Sequence, residues 1–247
     1  MPPRVVRIPG IEPLELPVAR ASVPPLHAYL RGCILDGRIP PGTKLSQATL
    51  AKQLCVSRTP LREVLRMLQE EGLVTSEPNQ RMRVAGLDPM ELDYDYASRI
   101  LLGSLALSMA ADEFSQDREK EATRLLDRMR ITAEQRDVDG WIQAHTAYHR
   151  VFDSAAPEPL QRQLRLLADR SVRYIRLRQI GDPVHWSEAG DLEHPSILRA
   201  VTAHERDVAV SALADHLAGT ALRVLADSAP TYVPTAVPRA VELVRKG

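Results

Sequence analysis

The sequence predicts a mainly α-helical protein in two parts: an N-terminal winged helix-turn-helix and an all-α helical bundle of about six helices. Three observations carry this. Three short helical patterns and two strand-like runs are packed into residues 22–86. From residue 87 to about 228 the helical period dominates, with no strand-like alternation and no glycine-rich phosphate loop. The formal charge of zero hides a split: residues 22–86 hold nine Lys/Arg against five Asp/Glu, while residues 87–228 hold seventeen against twenty-four. The first segment suits a polyanion and the second does not.

Residues 1–21 are Pro-punctuated and aperiodic, which predicts a flexible N-terminal arm. Leu26, Tyr29, Leu30, Cys33 and Ile34 then follow a helical period that "DGRIPPG" ends. A short helix, "SQATLAKQL", follows with Ser46 as N-cap. The third helix, "SRTPLREVLRMLQEEG", has Ser57 to cap it, Pro60 in the tolerant first turn and Gly72 to end it. "LVTSEPNQRMRVAGL" reads as a β-hairpin about Pro-Asn. A new unit opens at Asp88, Pro89 and Glu91, an N-cap, a first-turn proline and a near-capping-box acid. Breaks are expected near Ser115, Asp139, Pro157, Pro183 and His204. Residues 229–247 form a Pro-rich tail with a short helix from Arg239, read as a linker or a dimer strap.

Two cysteines without paired spacing predict a reduced, cytoplasmic protein. The longest apolar run, "ILLGSLALSMAA", is too short for a bilayer, and no signal core is present at the N-terminus, so no membrane partner is expected.

In the third helix Leu61, Val64, Leu65 and Leu68 form a buried stripe, while Arg58, Arg62 and Arg66 lie four apart on another face. Like charges at that spacing repel, and Glu63 and Glu70 offset only part of it. The row suits phosphate and guanine, with Ser57 and Thr59 at the helix start and Arg81 at the hairpin tip as further contacts. A solvated basic face is the bland alternative. "CVSRTPLREVL" resembles the "lgVSRtPvReAL" signature of the GntR family of bacterial transcription regulators. The resemblance implies that Arg58, Thr59 and Arg62 contact double-stranded operator DNA. Gln47 and Ala48 depart from the family's usual Glu-Arg pair, so one DNA-contacting arginine is missing.

"HTAYHRVF" sets His145 and His149 on one helix face, a spacing that suits two imidazoles meeting one ion and equally suits two unrelated polar residues. "LEHPSILRAV" supplies His194 at the start of a helix, and "ALADHLAGTAL" supplies His216. This order resembles the FCD effector domain of the FadR subgroup of the GntR family, with His145 standing where that family has aspartate. The resemblance implies a metal site at His145, His149, His194 and His216. Four nitrogens suit zinc or nickel better than magnesium or calcium; should His145 turn away, three ligands remain. It further implies that Arg99 receives a small carboxylate effector, with Gly103 standing where the family has glutamate. The alternative for Arg99 is a salt bridge to a neighbouring acid. Arg173, Tyr174 and Arg176 fit either a cavity lining or an outer face. Structural or solvent-facing roles are expected for His27, His185 and His204, and core-filling roles for Trp141 and Trp186.

The expected function is that of a ligand-responsive DNA-binding transcriptional regulator, a repressor, acting as a homodimer on a pseudo-palindromic operator. The alternatives are a hydrolase using the histidine cluster, for which no His-Glu-x-x-His motif exists, and a regulator whose metal is structural or is itself the signal.

Overall fold

A computed structural model describes residues 7–13, 23–77, 81–181 and 183–246, with the side chains of 77, 81, 173, 176–181 and 183–191 undescribed. The chain divides into two compact units, residues 1–87 and 88–247.

The first unit runs α1 (Val23–Leu35), β1 (Lys44–Leu45), α2 (Gln47–Gln53), α3 (Arg58–Glu70), β2 (Val74–Glu77) and β3 (Arg81–Val84). The two predicted strands pair antiparallel, Thr75 opposite Arg83, and the turn residues 78–80 lie outside the described residues. A two-residue strand, β1, adds to the other side of β3. Leu61, Val64, Leu65 and Leu68 are fully buried with Leu26, Leu30 and Leu50, so the predicted α3 stripe is the core. The expected arm behaves differently where it is described. Ile8 is buried in this core, and its backbone N–H donates to Gln53 Oε1 at 2.9 Å while Gln53 Nε2 donates to the Ile8 carbonyl at 3.1 Å.

Ser46 caps α2, accepting from Thr49 N–H. Between α2 and α3 the chain must reverse within four residues. Cys55 does so with φ +56°, a left-handed conformation in which a Cβ is disfavoured. Ser57 occupies the N-cap position of α3, yet its side chain makes no capping bond, contrary to the sequence expectation.

The second unit is helical: α4 (Pro89–Asp112), α5 (Gln116–Glu134), α6 (Val138–Asp153), α7 (Glu158–Gly181), α8 (Pro183–Thr202), α9 (Arg206–Ser228) and α10 (Ala236–Lys246). Asp88 caps α4 by accepting from Met90 and Glu91 N–H, with Pro89 in the first turn, as expected. α4 is the central helix, packed against α6, α7, α9 and α10. By length and composition α9 suffices to cross a membrane. Its Ala209, Leu213, Leu217, Ala221, Val224 and Leu225 are nevertheless core residues of the bundle.

Two expectations are corrected here. α8 does not start at His194: it begins at Pro183 and continues through Pro195, which removes one bond of the helical ladder without ending the helix. In the Pro-rich tail, read as a linker or a dimer strap, the helix starts earlier than expected. α10 starts at Ala236, three residues before the expected Arg239, and packs on α4 and α9 with Val237 and Ala240 buried.

Its start is set by Asp93, a fully buried carboxylate on α4. Asp93 accepts N–H bonds from Thr235 (2.8 Å), Ala236 (3.0 Å) and Val237 (2.9 Å), and the hydroxyl of Tyr232 (3.1 Å). Burial alone would raise its pKa; the N–H bonds from Ala236, Val237 and Thr235 outweigh burial and hold it below the ordinary carboxylate range. A negative charge at a helix N-terminus is favourable in its own right.

Replacing Asp93 by alanine deprives these donors, of which Val237 N–H is buried, of their acceptor, a loss of about 2 kcal/mol in urea denaturation. Because the folded pKa is depressed, the Asp93 contribution is present above pH about 4 and disappears as pH falls through the folded value. The same variant should lose hydrogen-exchange protection in residues 236–246; protection equal to that of the parent contradicts the latch.

Candidate metal centre and nucleic-acid interface

In the first unit the exposed face of α3 carries Arg58, Thr59, Arg62 and Arg66, with Ser57 at its start. The arginines are not equivalent. Arg66 is held by two acids of its own helix, Glu63 at 2.6 Å and Glu70. Arg58 and Arg62 make no ion pair or hydrogen bond through their guanidinium groups among the described residues. A free guanidinium at a helix start, beside a serine hydroxyl not used for capping, suits a phosphate backbone and a base edge. The Arg81 side chain lies outside the described residues, while its backbone opens β3.

In the second unit all four candidate histidines converge. His145 and His149 come from α6, whose start is fixed by Asp137 accepting from Gly140 N–H at 2.9 Å. A Cβ at Gly140 would lie 2.2 Å from that same carboxylate and 2.8 Å from the Thr132 methyl, so a larger residue there would displace the cap. His194 comes from α8, anchored to α6 by the Tyr148 hydroxyl donating to the His194 carbonyl at 2.7 Å. His216 comes from the middle of α9.

The four rings each offer one nitrogen, and these nitrogens lie within 4.8 Å of one another. His145 Nε2 and His149 Nε2 are 3.2 Å apart. Tetrahedral zinc with bonds of about 2.0–2.1 Å spaces its ligand nitrogens by about 3.3 Å, so this pair already has the separation of two ligands. His145 does not turn away: it is buried, stacked on Trp141 at 4.6 Å with rings 14° from parallel. Trp141 therefore serves as packing, as the sequence suggested. His194 Nε2 is sealed from solvent.

His216 Nδ1 lies 2.7 Å from Glu193 Oε2, and Arg223 lies 3.7 Å from the other Glu193 oxygen. With the Nδ1 proton donated to Glu193, Nε2 of His216 keeps its lone pair for the cluster. The carboxylate itself is held below its ordinary pKa: burial raises it, and the bond from His216 and the nearby Arg223 more than compensate.

Burial pushes the His145 and His149 pKa values well below the ordinary histidine value. The neighbouring imidazoles and Arg99 push in the same direction. Neutral imidazoles with their lone pairs available are what a transition metal needs; the all-nitrogen set fits zinc or nickel and does not fit magnesium or calcium.

Beside the cluster is a partly open cavity bounded by Arg99 and Gly103 of α4, His145, His149 and Asp153 of α6, and Leu213 of α9. Arg99 is 7 % exposed and stacks on Tyr96, its Cζ 5.0 Å from the ring centre. No carboxylate pairs with it among the described residues, where the salt bridge considered from the sequence is therefore not found. Gly103 leaves room on the same wall. A Cβ there would meet Leu213 and Leu217 at 3.5 and 3.9 Å, ordinary contact distances.

Tyr174 is buried, while the side chains of Arg173, Arg176, His185 and Trp186 lie outside the described residues. His27 pairs with Glu71 at 2.6 Å and His204 Nδ1 lies 2.9 Å from the Ala111 carbonyl, both structural roles. Sequence reasoning missed Glu193 and Asp153. The first adjoins His194 in "LEHP", and the second follows His149 at the same four-residue step that joins His149 to His145.

Comparison with known proteins places the two units. Residues 26–84 match the family described as bacterial regulatory proteins, gntR family, and residues 95–219, about half of the chain, match the FCD domain. The HTH-type transcriptional repressor GlaR of Escherichia coli is 28 % identical over 198 residues, covering 77 % of this chain and 90 % of that protein. An uncharacterized HTH-type regulator of Bacillus subtilis, YdhC, is 31 % identical over 91 residues, 37 % of this chain but only 41 % of its own length. The solved structure of Escherichia coli McbR/YncC superposes with a TM-score of 0.72 at 20 % identity, covering 83 % of this chain and 97 % of that one, a likeness of fold.

Acid should undo the cluster. Because the folded pKa values of His145 and His149 are depressed, metal-free protein keeps their contribution above pH about 6.5 and loses stability as pH falls below it, where the unfolded imidazoles take up protons that the buried ones cannot. Denaturation midpoints measured from pH 7.5 to 5 check this. A flat profile, or one unchanged by His145→Ala plus His149→Ala, contradicts the burial of neutral rings.

Proposed function

The chain belongs to the GntR family of bacterial regulatory proteins and carries an FCD domain, and from that premise we propose that it is a repressor released by a small carboxylate bound at a histidine metal centre. That it is a DNA-binding transcriptional regulator and not an enzyme follows from the family, which sets aside the hydrolase alternative. Repressors named among its relatives support the sign of regulation.

The observation that carries the effector reading is Arg99: a buried guanidinium without an acid partner among the described residues, facing the same cavity as His145 and His149. A buried charge left unpaired is costly, and an anion entering the cavity removes that cost. His145, His149, His194 and His216 would hold the zinc or nickel ion, which supplies a second positive charge for the carboxylate when bound. With four neutral ligands the ion keeps its full charge, so the attraction for an anion is larger than with an aspartate in the set.

On the DNA side Arg58 and Arg62 read the operator, with Ser57 and Thr59 on the phosphates. Arg66 has a weaker part because Glu63 and Glu70 already occupy it. α4 joins the two ends of the mechanism. It lines the cavity with Arg99 and Gly103 and follows β3 after four intervening residues. An effector that binds one arrangement of α4 more tightly shifts the equilibrium by that difference in affinity. For the homodimer, support comes from α4's outer face, where Met90, Tyr94, Leu101, Leu105 and Met109 are exposed, Tyr94 by 59 %. A second copy buries such a stripe, and two-fold symmetry calls for a pseudo-palindromic operator read in the cytoplasm.

Arg58→Ala should weaken operator binding by about 1–3 kcal/mol in a fluorescence titration while Arg66→Ala weakens it less; equal losses contradict the division of labour. For the effector, an extract of native metabolites passed over the metal-loaded protein and analysed by mass spectrometry should yield a carboxylate that Arg99→Leu fails to retain. An acid retained equally by Arg99→Leu sinks the assignment.

A further inference from the structure

A second unsatisfied group faces the same cavity. Asp153 is the last residue of α6, one turn beyond His149, which is itself one turn beyond His145, so the three side chains share a helix face. The carboxylate lines the cavity opposite no donor of its own, making neither hydrogen bond nor ion pair among the described residues. Three guanidinium groups border the same space, and two are already engaged. Arg165 donates to Glu158 at 2.6 Å and to Gln161 at 3.3 Å, and Arg150 lies 3.9 Å from Asp169. Arg99 is the third, and it is not within ion-pair distance of Asp153 either. The cavity thus presents a buried cation and a half-buried anion, each lacking a counterpart among the described residues.

A plain hydrocarbon acid satisfies only half of this. Its carboxylate meets Arg99, while its tail further dries Asp153, an ionised group for which desolvation is expensive. We propose that the cavity takes a small carboxylic acid that also carries a hydrogen-bond-donating substituent beside the carboxylate, a hydroxyl or an ammonium, and that Asp153 is the acceptor that selects it. The inference rests on the effector reading above and narrows its ligand class. Burial, the largest influence, raises the Asp153 pKa to about 6, with Arg99, Arg150 and Arg165 pulling the other way. Above that pH the group is an acceptor only, and a donor on the ligand relieves its desolvation. Specificity of this kind is strong because the wrong ligand leaves a buried polar group unpaired.

The test uses three acids of one skeleton, propionate, lactate and alanine, which differ at the second carbon by hydrogen, hydroxyl and ammonium. Binding to the full-length, zinc-loaded protein is measured by calorimetry at pH 7.5 up to millimolar concentration. The expected result is that lactate or alanine binds at least about tenfold more tightly than propionate. Asp153→Ala, whose zinc content and far-ultraviolet circular dichroism verify the fold, abolishes that preference while leaving propionate unchanged. Asp153→Asn separates the two donors: it keeps an acceptor oxygen, so a preference for lactate largely survives, whereas a preference for alanine requires the charge and is lost. Equal affinity for the three acids, or a preference that persists in Asp153→Ala, overturns the inference and leaves the effector site standing. If none of the three binds the parent protein, the effector reading fails and this inference falls with it.

Discussion

Four converging imidazoles, three of them buried and His149 half-buried, impose the constraint around which the helical unit is arranged. His145, His149, His194 and His216 come from three helices, and each nitrogen withdrawn from water needs a partner. The protein spends considerable structure on meeting that need. Asp137 caps the start of α6 at Gly140, Tyr148 ties α6 to the His194 backbone, and Glu193 stands at hydrogen-bond distance from His216 Nδ1. A cluster of desolvated histidines without a shared cation would be a liability, since each could be replaced by an apolar residue of similar volume at less cost. Its supporting shell makes sense as the housing of one ion.

α4 carries the second constraint. Its buried Asp93 meets a cluster of N–H donors at the start of α10, whereas its buried Arg99, six residues on, meets no acid among the described residues. The two charges on one helix have opposite fates. The satisfied one locks the C-terminal segment to the bundle, and the unsatisfied one waits at a cavity. In the proposed reading, stability and responsiveness are thereby separated along a single element.

Much of this was legible in the sequence because local chemistry decides it. The Asp88-Pro89-Glu91 start of α4, the α3 stripe of Leu61, Val64, Leu65 and Leu68, and the capping of α2 by Ser46 depend on neighbours within a few residues. The four histidines were found by order and spacing, and their convergence follows from the fold that the resemblance implies. What stayed hidden depends on partners far along the chain. Ile8 packs against Gln53, β1 exists only because β3 pairs with it, and α10 starts at Ala236 because a carboxylate more than a hundred residues earlier accepts its N–H groups. α8 runs through Pro195 where the sequence suggested a helix start at His194. Glu193 and Asp153 sat beside identified residues, but only three-dimensional placement distinguishes an acid that faces a cluster or a cavity from one that faces solvent.

Whether the histidine cluster holds an ion decides between a metal centre and a merely packed core. Elemental analysis of the purified full-length protein at pH 7.5, paired with a zinc titration of the metal-stripped form, measures this directly. One transition-metal ion per chain, taken up again after stripping and reduced to a small fraction in His149→Ala plus His216→Ala, is the predicted result. Protein that carries no such ion, and that fails to take up zinc after stripping, contradicts the central claim.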